Sequence, residues 1–405
     1  MIYWIVNIAI IAIAAGLYYK QYNHGLSVWI FGSALIMKLI AGMMVGWIFY
    51  NYYQSGDTIL FFEESKKIAS LPWSEYVETL RAPSTYLTSN RPRVLFFTKL
   101  LSFFTLITGG SYWLASLYLS LISFLASWFL VTTLIRITPA NKNPVIFCFF
   151  FIPTIVFWSS GILKDSITFG ALLYLVAISI KVYYSKKVPL LEWLIACVAL
   201  FVLFRVKHYI LISFIVFAGL VVFTKLIKET NLVRRITAFS IGILAIVATQ
   251  FVHPYLRFDR LALTVYETNQ AILEKSDPIN RLNLEIEKPA LESIAKHIPM
   301  AVQIGLFRPS VFDHSTIWGW LHRLENLLLL FLFALSIILY FKIKPKIEVP
   351  LILSAVVTII LLATMLALST PNFGTLVRYK NAFLPFFFLL CSILPYQYFT
   401  SKSTY

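Results

Sequence analysis

Twelve apolar runs recur along the chain, at roughly residues 2–19, 27–50, 93–109, 112–135, 144–158, 166–184, 188–204, 208–227, 235–252, 323–341, 349–369 and 380–398. Most hold about 17–25 residues with few charges, the length an α-helix needs to cross a bilayer core of ~30 Å. Lipid offers the backbone no hydrogen-bond partners, so only helices and closed barrels span it. Barrel strands would read as short alternating segments, which these are not. The runs therefore predict an all-α, polytopic transmembrane helical bundle. Composition agrees, with 59% of residues hydrophobic and 13% charged, outside the range of soluble globular domains. No basic residue precedes Lys20, so the first run reads as a span rather than a cleaved leader. Cys148, Cys197 and Cys391 all lie inside apolar runs and read as small core hydrophobes, with no disulfide framework or metal spacing.

The short loops alternate in charge. Lys20; Arg136 and Lys142; Lys181, Lys186 and Lys187; Lys225, Lys228, Arg234 and Arg235; Lys342, Lys344 and Lys346; and Lys402 are accompanied only by the acids Glu229 and Glu348. Cytoplasmic loops carry the excess of Lys and Arg, so these loops are expected in the cytoplasm. The N-terminus, the long polar stretches 51–92 and 253–322, and the turns at 159–165, 205–207 and 370–379 then fall on the outer side. The alternation survives only if 93–109 does not cross, because a crossing there would invert every later loop. We expect this run, with Lys99 in its middle and Gly109-Gly110 at its end, to dip into the bilayer or lie along its outer surface. That leaves about eleven crossings in a single integral membrane domain, residues 1–405. The first outer loop, with Arg93 at its end, carries five basic and five acidic residues, and the second carries seven and eight. The net charge of +16 is therefore mostly a topology signal attracted to anionic headgroups, and nucleic acid is not an expected partner. Frequent Ile, Lys, Asn and Phe point to an AT-rich bacterial source, hence a bacterial cytoplasmic (inner) membrane.

Within the outer loops, Gly56-Asp57 precedes a helical periodicity over Thr58–Ala69, and Trp73, Pro83 and Pro92 indicate further short interfacial helices. The second loop reads as helical over Leu261–Lys275 and Leu291–Leu306, around an Asp277-Pro278 break. The stretch Phe151–Ser166, FIPTIVFWSSGILKDS, ends one apolar run in Phe157-Trp158, turns at Ser159-Ser160-Gly161, and opens the next run after Lys164-Asp165. Lys164 and Asp165 are thus expected at the membrane surface, at the mouth between two spans, where ionisable residues are functional candidates. The same side gathers Asp57, Arg205, Lys207, His208, Arg308, Arg378 and Lys380. Taken singly, each basic residue reads as snorkelling to headgroups and each Asp as a helix cap. Taken together, cations around two isolated carboxylates suit a phosphate-bearing lipid substrate. Arg contacts phosphate bidentately and Lys as a point charge, and both stabilise the charge that develops on a departing phosphate. A carboxylate beside them can act as general base toward an attacking hydroxyl. Transfer of a sugar from a lipid phosphate needs little more. Elsewhere, Lys38 stands mid-span and snorkels or lines a cavity, Arg323 and Glu325 open a span and pair locally, and His24, His253, His297, His314 and His322 fall in no ligand spacing.

The order of these features resembles the C-type (GT-C) integral membrane glycosyltransferases, which include protein mannosyltransferases and lipid A aminoarabinose transferases. In that family a first span leads to a long outer loop opening with a catalytic Asp and juxtamembrane helices, which Gly56-Asp57 with Thr58–Ala69 resembles. A Pro-led apolar run ending in Gly is similar to Arg91-Pro92-Arg93 through Gly109-Gly110. A span ending in a small, aromatic turn with an Asp is similar to Phe157 through Ser166. A basic turn before a later span resembles Arg205-Val206-Lys207-His208, and a C-terminal Arg-Tyr motif with prolines resembles Arg378-Tyr379 through Pro385. The resemblance implies a GT-C-like fold in which Asp57 is the base that activates the acceptor hydroxyl and Asp165 positions the acceptor or a metal. Lys207, Arg308 and Arg378 would hold the lipid phosphate, with Lys164, Arg205, His208 and Lys380 in the same cradle. The implied partners are a polyprenyl-phosphate-linked sugar, membrane lipid, and a glycan, lipid or protein acceptor. The chain departs from the family in an extra span before the first loop, in a lone Asp57 followed by Thr58 where two acids or Asp-x-Asp are usual, and in lacking a large soluble C-terminal domain. A divalent metal is therefore not indicated, and the cofactor is left open. The alternatives are a polysaccharide polymerase or ligase, to which GLFRPS at 305–310 is similar, and a lipid-linked glycan flippase or transporter. A transporter would place polar residues at mid-membrane and show internal repeats; no repeat is evident.

Overall fold

The structure, a computed structural model, describes residues 1–138, 141–228, 257–282, 284–313, 319–343 and 349–402. These are helical, with no strand among the described residues. In order they form α1 (Ile2–Tyr22), α2 (Val28–Ile48, prolonged by a π-turn at Phe49–Tyr53), α3 (Asp57–Ala69), α4 (Trp73–Arg81), α5 (Pro92–Ile107), α6 (Tyr112–Ile137), α7 (Lys142–Phe150), α8 (Pro153–Trp158), α9 (Lys164–Tyr183), α10 (Leu190–Val206) and α11 (His208–Lys228). Then follow α12 (Phe258–Lys275), a 3-10 turn at Pro278–Asn280, α13 (Leu291–Phe307), α14 (Gly319–Ile343), α15 (Val349–Ser369), α16 (Phe373–Lys380) and α17 (Leu384–Lys402). Sequence punctuation sets several starts. Ser27, Ser111 and Asn372 accept hydrogen bonds from Trp29, Leu114 and Thr375 N–H at the openings of α2, α6 and α16. Pro92 and Pro153 open α5 and α8.

Seven described helices are long and apolar enough to cross a membrane: Ile2–Tyr22, Val28–Tyr53, Tyr112–Ile137, Lys164–Tyr183, His208–Lys225, Gly319–Ile343 and Pro350–Ser369. An eighth is added if α16 and α17, bent by 66° at their junction, form one broken span. The sequence expectation was about eleven, and the differences have local causes. The run 144–158 is cut at Pro153 into helices of nine and six residues. The run 188–204 gives a 17-residue α10, about 25 Å and at the lower limit of spanning length. The run 93–109 gives a 16-residue α5, and the run 235–252 lies outside the described residues. Large apolar side chains such as Ile5 and Leu17 on α1, Leu190 and Val198 on α10, and Phe331 and Ile338 on α14 point outward, as lipid-facing helices do and water-facing ones rarely do. The chain is a multi-pass, helical membrane protein.

Where the sequence predicts one domain, the chain divides into two compact units, Met1–Ile212 and Ser213–Tyr405. Unit 1 is built on α6 and α9, both largely buried, with α2 crossing close to α6. Gly42 and Gly46 of α2 allow that approach: a Cβ on Gly42 would stand 2.1 Å from Ser120 Oγ, and one on Gly46 2.3 Å from the Tyr112 ring. This is a small-xxx-small crossing, in which packing and interhelical hydrogen bonds replace the hydrophobic drive that lipid removes. Ser116 Oγ donates to Gly42 O at 2.8 Å, and Gly161 N donates to Ser120 Oγ at 2.9 Å. Gly42→Leu should therefore cost at least about 1–3 kcal/mol through overpacking, read as a lowered unfolding temperature in detergent. Gly32→Leu on the same helix, with open space around it, should leave that temperature unchanged.

The loops of unit 1 sort into two ends. At one end Arg136 reaches His24, Trp128 donates to Tyr22 O, and Lys181 pairs with Glu192. Lys20, Arg136, Lys142, Lys181, Lys186 and Lys187 belong to the helix ends and connections on this side. Beside Arg136 and Lys181, burial followed by their charges holds His24 below the usual imidazole range. At the other end Thr58 bonds Tyr112, Lys164 lies over Phe61, and Lys207 pairs with Asp165. Helix α5 stays at this second end throughout. Near its start Phe96 meets Arg205 and Phe97 meets Phe61, and at its finish Ile107 O accepts from Asn7 while Gly109 abuts Tyr3. Both ends of α5 therefore lie at this end of the unit.

Lys38 does not snorkel. It is 2% exposed, donates to Ser159 Oγ and lies 5.1 Å from the Phe169 ring centroid. No carboxylate among the described residues stands at ion-pair distance from it. Because the Ser159 hydroxyl also donates to Ile155 O, removing the ammonium orphans no serine proton. A lysine at mid-helix costs ~2.5–3.5 kcal/mol on insertion scales. Lys38→Met should thus raise the unfolding temperature by several degrees; a fall would show that the ammonium stabilises the fold.

In unit 2, α13 packs on α15 where a Cβ on Gly305 would lie 2.2 Å from Ala363 O. Asn269 ties α12 to Leu284 O and Leu368 O at 3.0 and 2.7 Å, and Ser336 on α14 donates to Cys391 O on α17 at 2.6 Å.

Candidate functional site

The second end of unit 1 is held by a buried apolar cluster of Phe61 and Phe62 (α3), Phe97 and Leu101 (α5), Tyr112 and Ala115 (α6), Ile162 and Ile167 (around the start of α9), and Val206 (α10). Five chain segments are fixed around it, and three of them, α3, the start of α9 and the end of α10, carry predicted residues at its edge. Asp57 is exposed and is the first residue of α3. It follows Gly56, whose φ of +128° and contact with the Phe49 ring only glycine tolerates. Thr58 is buried, its hydroxyl 2.6 Å from Tyr112 OH, which anchors this helix start. Phe61, one turn on and on the same face as Asp57, carries Lys164 Nζ 4.7 Å above its ring centroid. Asp57 thus opens the helix whose Phe61 ring lies under Lys164.

Asp165 and Lys207 form a buried ion pair. Lys207 occupies the break between α10 and α11: its N–H bonds Leu203 O, and its carbonyl accepts from Ile210 and Leu211 N–H. Arg205, two residues earlier, is exposed and lies 5.4 Å from the Phe96 centroid. Burial and then the Arg205 guanidinium push the Lys99 ammonium below its ordinary range. Lys99 is also held by Ala82 O at 2.5 Å, at the end of α4. His208 is exposed against Phe204, ring centroids 5.5 Å apart. One expectation is corrected. Lys164 and Asp165 do not stand at an open mouth: Ser159, Ser160, Ile162 and Leu163 are fully buried, Asp165 nearly so, and only Lys164 is half-buried. The turn is covered because Gly161, at φ +74°, lies against Gly42 O of α2, with α3 resting over Lys164.

The remaining predicted residues belong to unit 2. Arg308 follows α13, half-exposed, with its Nη2 2.5 Å from Asp313 Oδ1 and its guanidinium 5.8 Å from the Phe373 centroid. Asp313 also accepts from Ser310 N and Oγ, closing the 308–313 loop. Arg378 lies half-buried on α16. Lys380 is buried and its ammonium donates to Leu306 O (3.0 Å), Arg308 O (2.9 Å) and Asn326 Oδ1 (3.4 Å). An ammonium has three N–H bonds, so Lys380 has none left for a phosphate; it ties α16 to the 305–310 loop.

Sequence reading did not single out Asn326, which also donates to Pro309 O at 2.9 Å, nor Glu64, buried on α3 with Oε1 accepting from Ser89 N–H. A buried carboxylate one residue from an exposed one has no period that would announce it. Arg323 does not pair with Glu325; among the described residues it has no carboxylate partner and lies over Trp320. No group of three His, Cys, Asp or Glu able to hold a metal occurs among the described residues. No protein-family model, curated protein or solved structure matches the chain.

Proposed function

We propose that this chain is a membrane glycosyltransferase of the GT-C type. It moves a sugar from a polyprenyl phosphate to a hydroxyl of a glycan, lipid or protein acceptor, at the outer face of a bacterial cytoplasmic membrane. The observation that carries this reading is the gathering, at one end of unit 1, of an exposed carboxylate and cations from three other segments: Asp57 at the start of the helix whose Phe61 lies under Lys164, then Asp165–Lys207, Arg205 and Lys99. This is also the end away from the basic loops of unit 1, hence the outer end by the charge rule.

Asp57 takes the proton from the acceptor hydroxyl as its oxygen bonds to the sugar C1. The C1–O bond to phosphate breaks, and polyprenyl phosphate leaves with the electron pair as an anion. Lys164 and Arg205, both at the edge of the aromatic cluster, stabilise that anion without giving it a proton. The buried Asp165–Lys207 pair sets the relative position of α9 and α10, and so of Lys164 and Arg205. The test is transfer by the purified protein in nanodiscs, with a panel of polyprenyl phosphates carrying radiolabelled hexoses and pentoses and native membrane extract as acceptor. Label should move to the extract in step with release of free polyprenyl phosphate. Retention of label on every donor would overturn the reading.

A further inference from the structure

The basic end of unit 1 brings two cation-forming side chains into contact with no acid between them. Arg136, on the last turn of α6, is exposed, and its Nη1–H donates to His24 Nδ1 at 3.5 Å. Among the described residues neither has a carboxylate at ion-pair distance. Lys181, at the end of α9, is a third cation here, and Glu192 of α10 is already paired with it. The fold holds His24 in place. Leu26 N–H donates to Asn23 O at 2.8 Å and closes a tight turn in which His24 and Gly25 take φ of +44° and +81°. His24 thus adopts a backbone that non-glycine residues rarely take, and such positions cluster at sites of function. The Tyr22 ring stands edge-on to the imidazole, centroids 6.4 Å apart, and Tyr22 O accepts from the buried Trp128 indole at 3.0 Å.

The ligand chemistry follows from the two groups. Arg136 has four N–H bonds beyond the one given to His24. Because Nδ1 accepts, the neutral imidazole carries its proton on Nε2 and offers a donor as well. The pair therefore presents positive charge and donors, which an oxyanion matches, and a guanidinium fork suits two oxygens of a phosphate. The exposed Ile10, Ile13 and Leu17 follow one face of α1 up to the exposed Lys20 in its last turn. That gives an acyl chain an apolar stripe leading to this end. We propose that Arg136 and His24 bind a phosphodiester anion, the headgroup of an acidic phospholipid, at the end of unit 1 opposite Asp57. A small soluble phosphodiester has the same chemistry. The site does not depend on the transfer reaction. Its occupancy is tied to pH. Burial, then the charges of Arg136 on α6 and Lys181 on α9, hold His24 below the usual imidazole range, and Tyr22 of α1 is its other titratable neighbour. A bound anion offsets both cations and raises it again. Binding then takes up a proton and tightens as pH falls between the two values.

The test is thermal unfolding of the full chain in phosphatidylcholine nanodiscs. Phosphatidylglycerol is titrated into the bilayer in one arm and dimethyl phosphate into the buffer in the other; neither phosphodiester titrates between about pH 5.5 and 7.5, where His does. Wild type should show a saturable rise of several degrees, half-saturating at least about threefold lower at the acid end of that range. A rise with phosphatidylglycerol alone identifies a lipid headgroup, and one with dimethyl phosphate a soluble ester. Arg136→Gln should abolish the rise, with its ligand-free unfolding temperature within about a degree of wild type because the side chain is exposed. His24→Asn, which also tolerates positive φ, should keep a weaker rise without pH dependence. Lys186→Gln with Lys187→Gln removes two exposed charges from the same side and should leave the rise intact. An equal loss in that pair would mean that general charge attracts the anion, and would overturn the site. No rise in either arm, a rise without pH dependence in wild type, a full rise in Arg136→Gln, or pH dependence retained in His24→Asn would overturn it too. If Arg136→Gln fails to extract, Arg136→Lys keeps the charge without the fork. It should half-saturate at least about threefold higher, and unchanged binding would equally end the proposal.

Discussion

Lys207→Met should destabilise the protein by about 3–5 kcal/mol, the cost of breaking a buried ion pair from one side. The pair is fully inside: Asp165 and Lys207 side chains are 5% and 8% exposed, and they join the start of α9 to the α10–α11 break. Removing the ammonium keeps the Asp165 carboxylate buried but takes away the cation that offsets its lost hydration. Unfolding in mixed micelles of rising SDS fraction should show the loss. Asp165→Asn should cost a comparable amount for the mirrored reason. The double variant Asp165→Leu, Lys207→Met should recover most of it, since an apolar pair of similar volume carries no desolvation cost. Additive losses in the double variant would mean that the two residues act separately. Transfer activity should not recover with stability in the double variant, because Lys164 and Arg205 are placed by the same junction.

What the sequence disclosed about this fold depends on the range of the physical signal. Apolar runs are local, and they located the helices well. Their lengths were less informative, because one proline halves a run, as at Pro153, and α10, at 17 residues, stands at the lower limit of a span. The alternation of basic loops led to the expectation that 93–109 does not cross, and both ends of α5 lie at the same end of unit 1. For the candidate site, residue type at a span boundary pointed to Asp57, Lys164, Asp165, Arg205 and Lys207, and the segments that carry them border one aromatic cluster. Burial was not legible. SSGILKD reads as an exposed turn, yet Gly42 and Gly46, over a hundred residues earlier, let α2 close over it. Nor was the fate of a lysine's protons: Lys380 and Lys207 look alike in sequence, and only the fold gives one of them three acceptors and the other a carboxylate. Arg323 misled in the opposite direction, because an acid two residues away on a helix does not face it.

Asp57→Asn should lower the turnover number for sugar transfer by about 10²–10⁴, the usual share of a positioned general base, while KM for the polyprenyl phosphate changes little. The carboxamide is nearly isosteric and can still meet helix N–H groups, but it cannot accept the acceptor's proton. Asp57 is exposed at the first position of α3, where the carboxylate contributes ~0.3–1 kcal/mol of helix-dipole interaction, and extraction should be normal. The contrast with the cations separates the roles. Arg205→Met, on the same rim, should weaken both donor binding and turnover, because phosphate carries charge in the ground state and gains more in the transition state. Steady-state kinetics at saturating acceptor read the split directly. Full turnover in Asp57→Asn would remove the base from this carboxylate. The buried Asp165, neutralised by Lys207 and remote from solvent, could not replace it without first breaking the pair that holds α9 to α10.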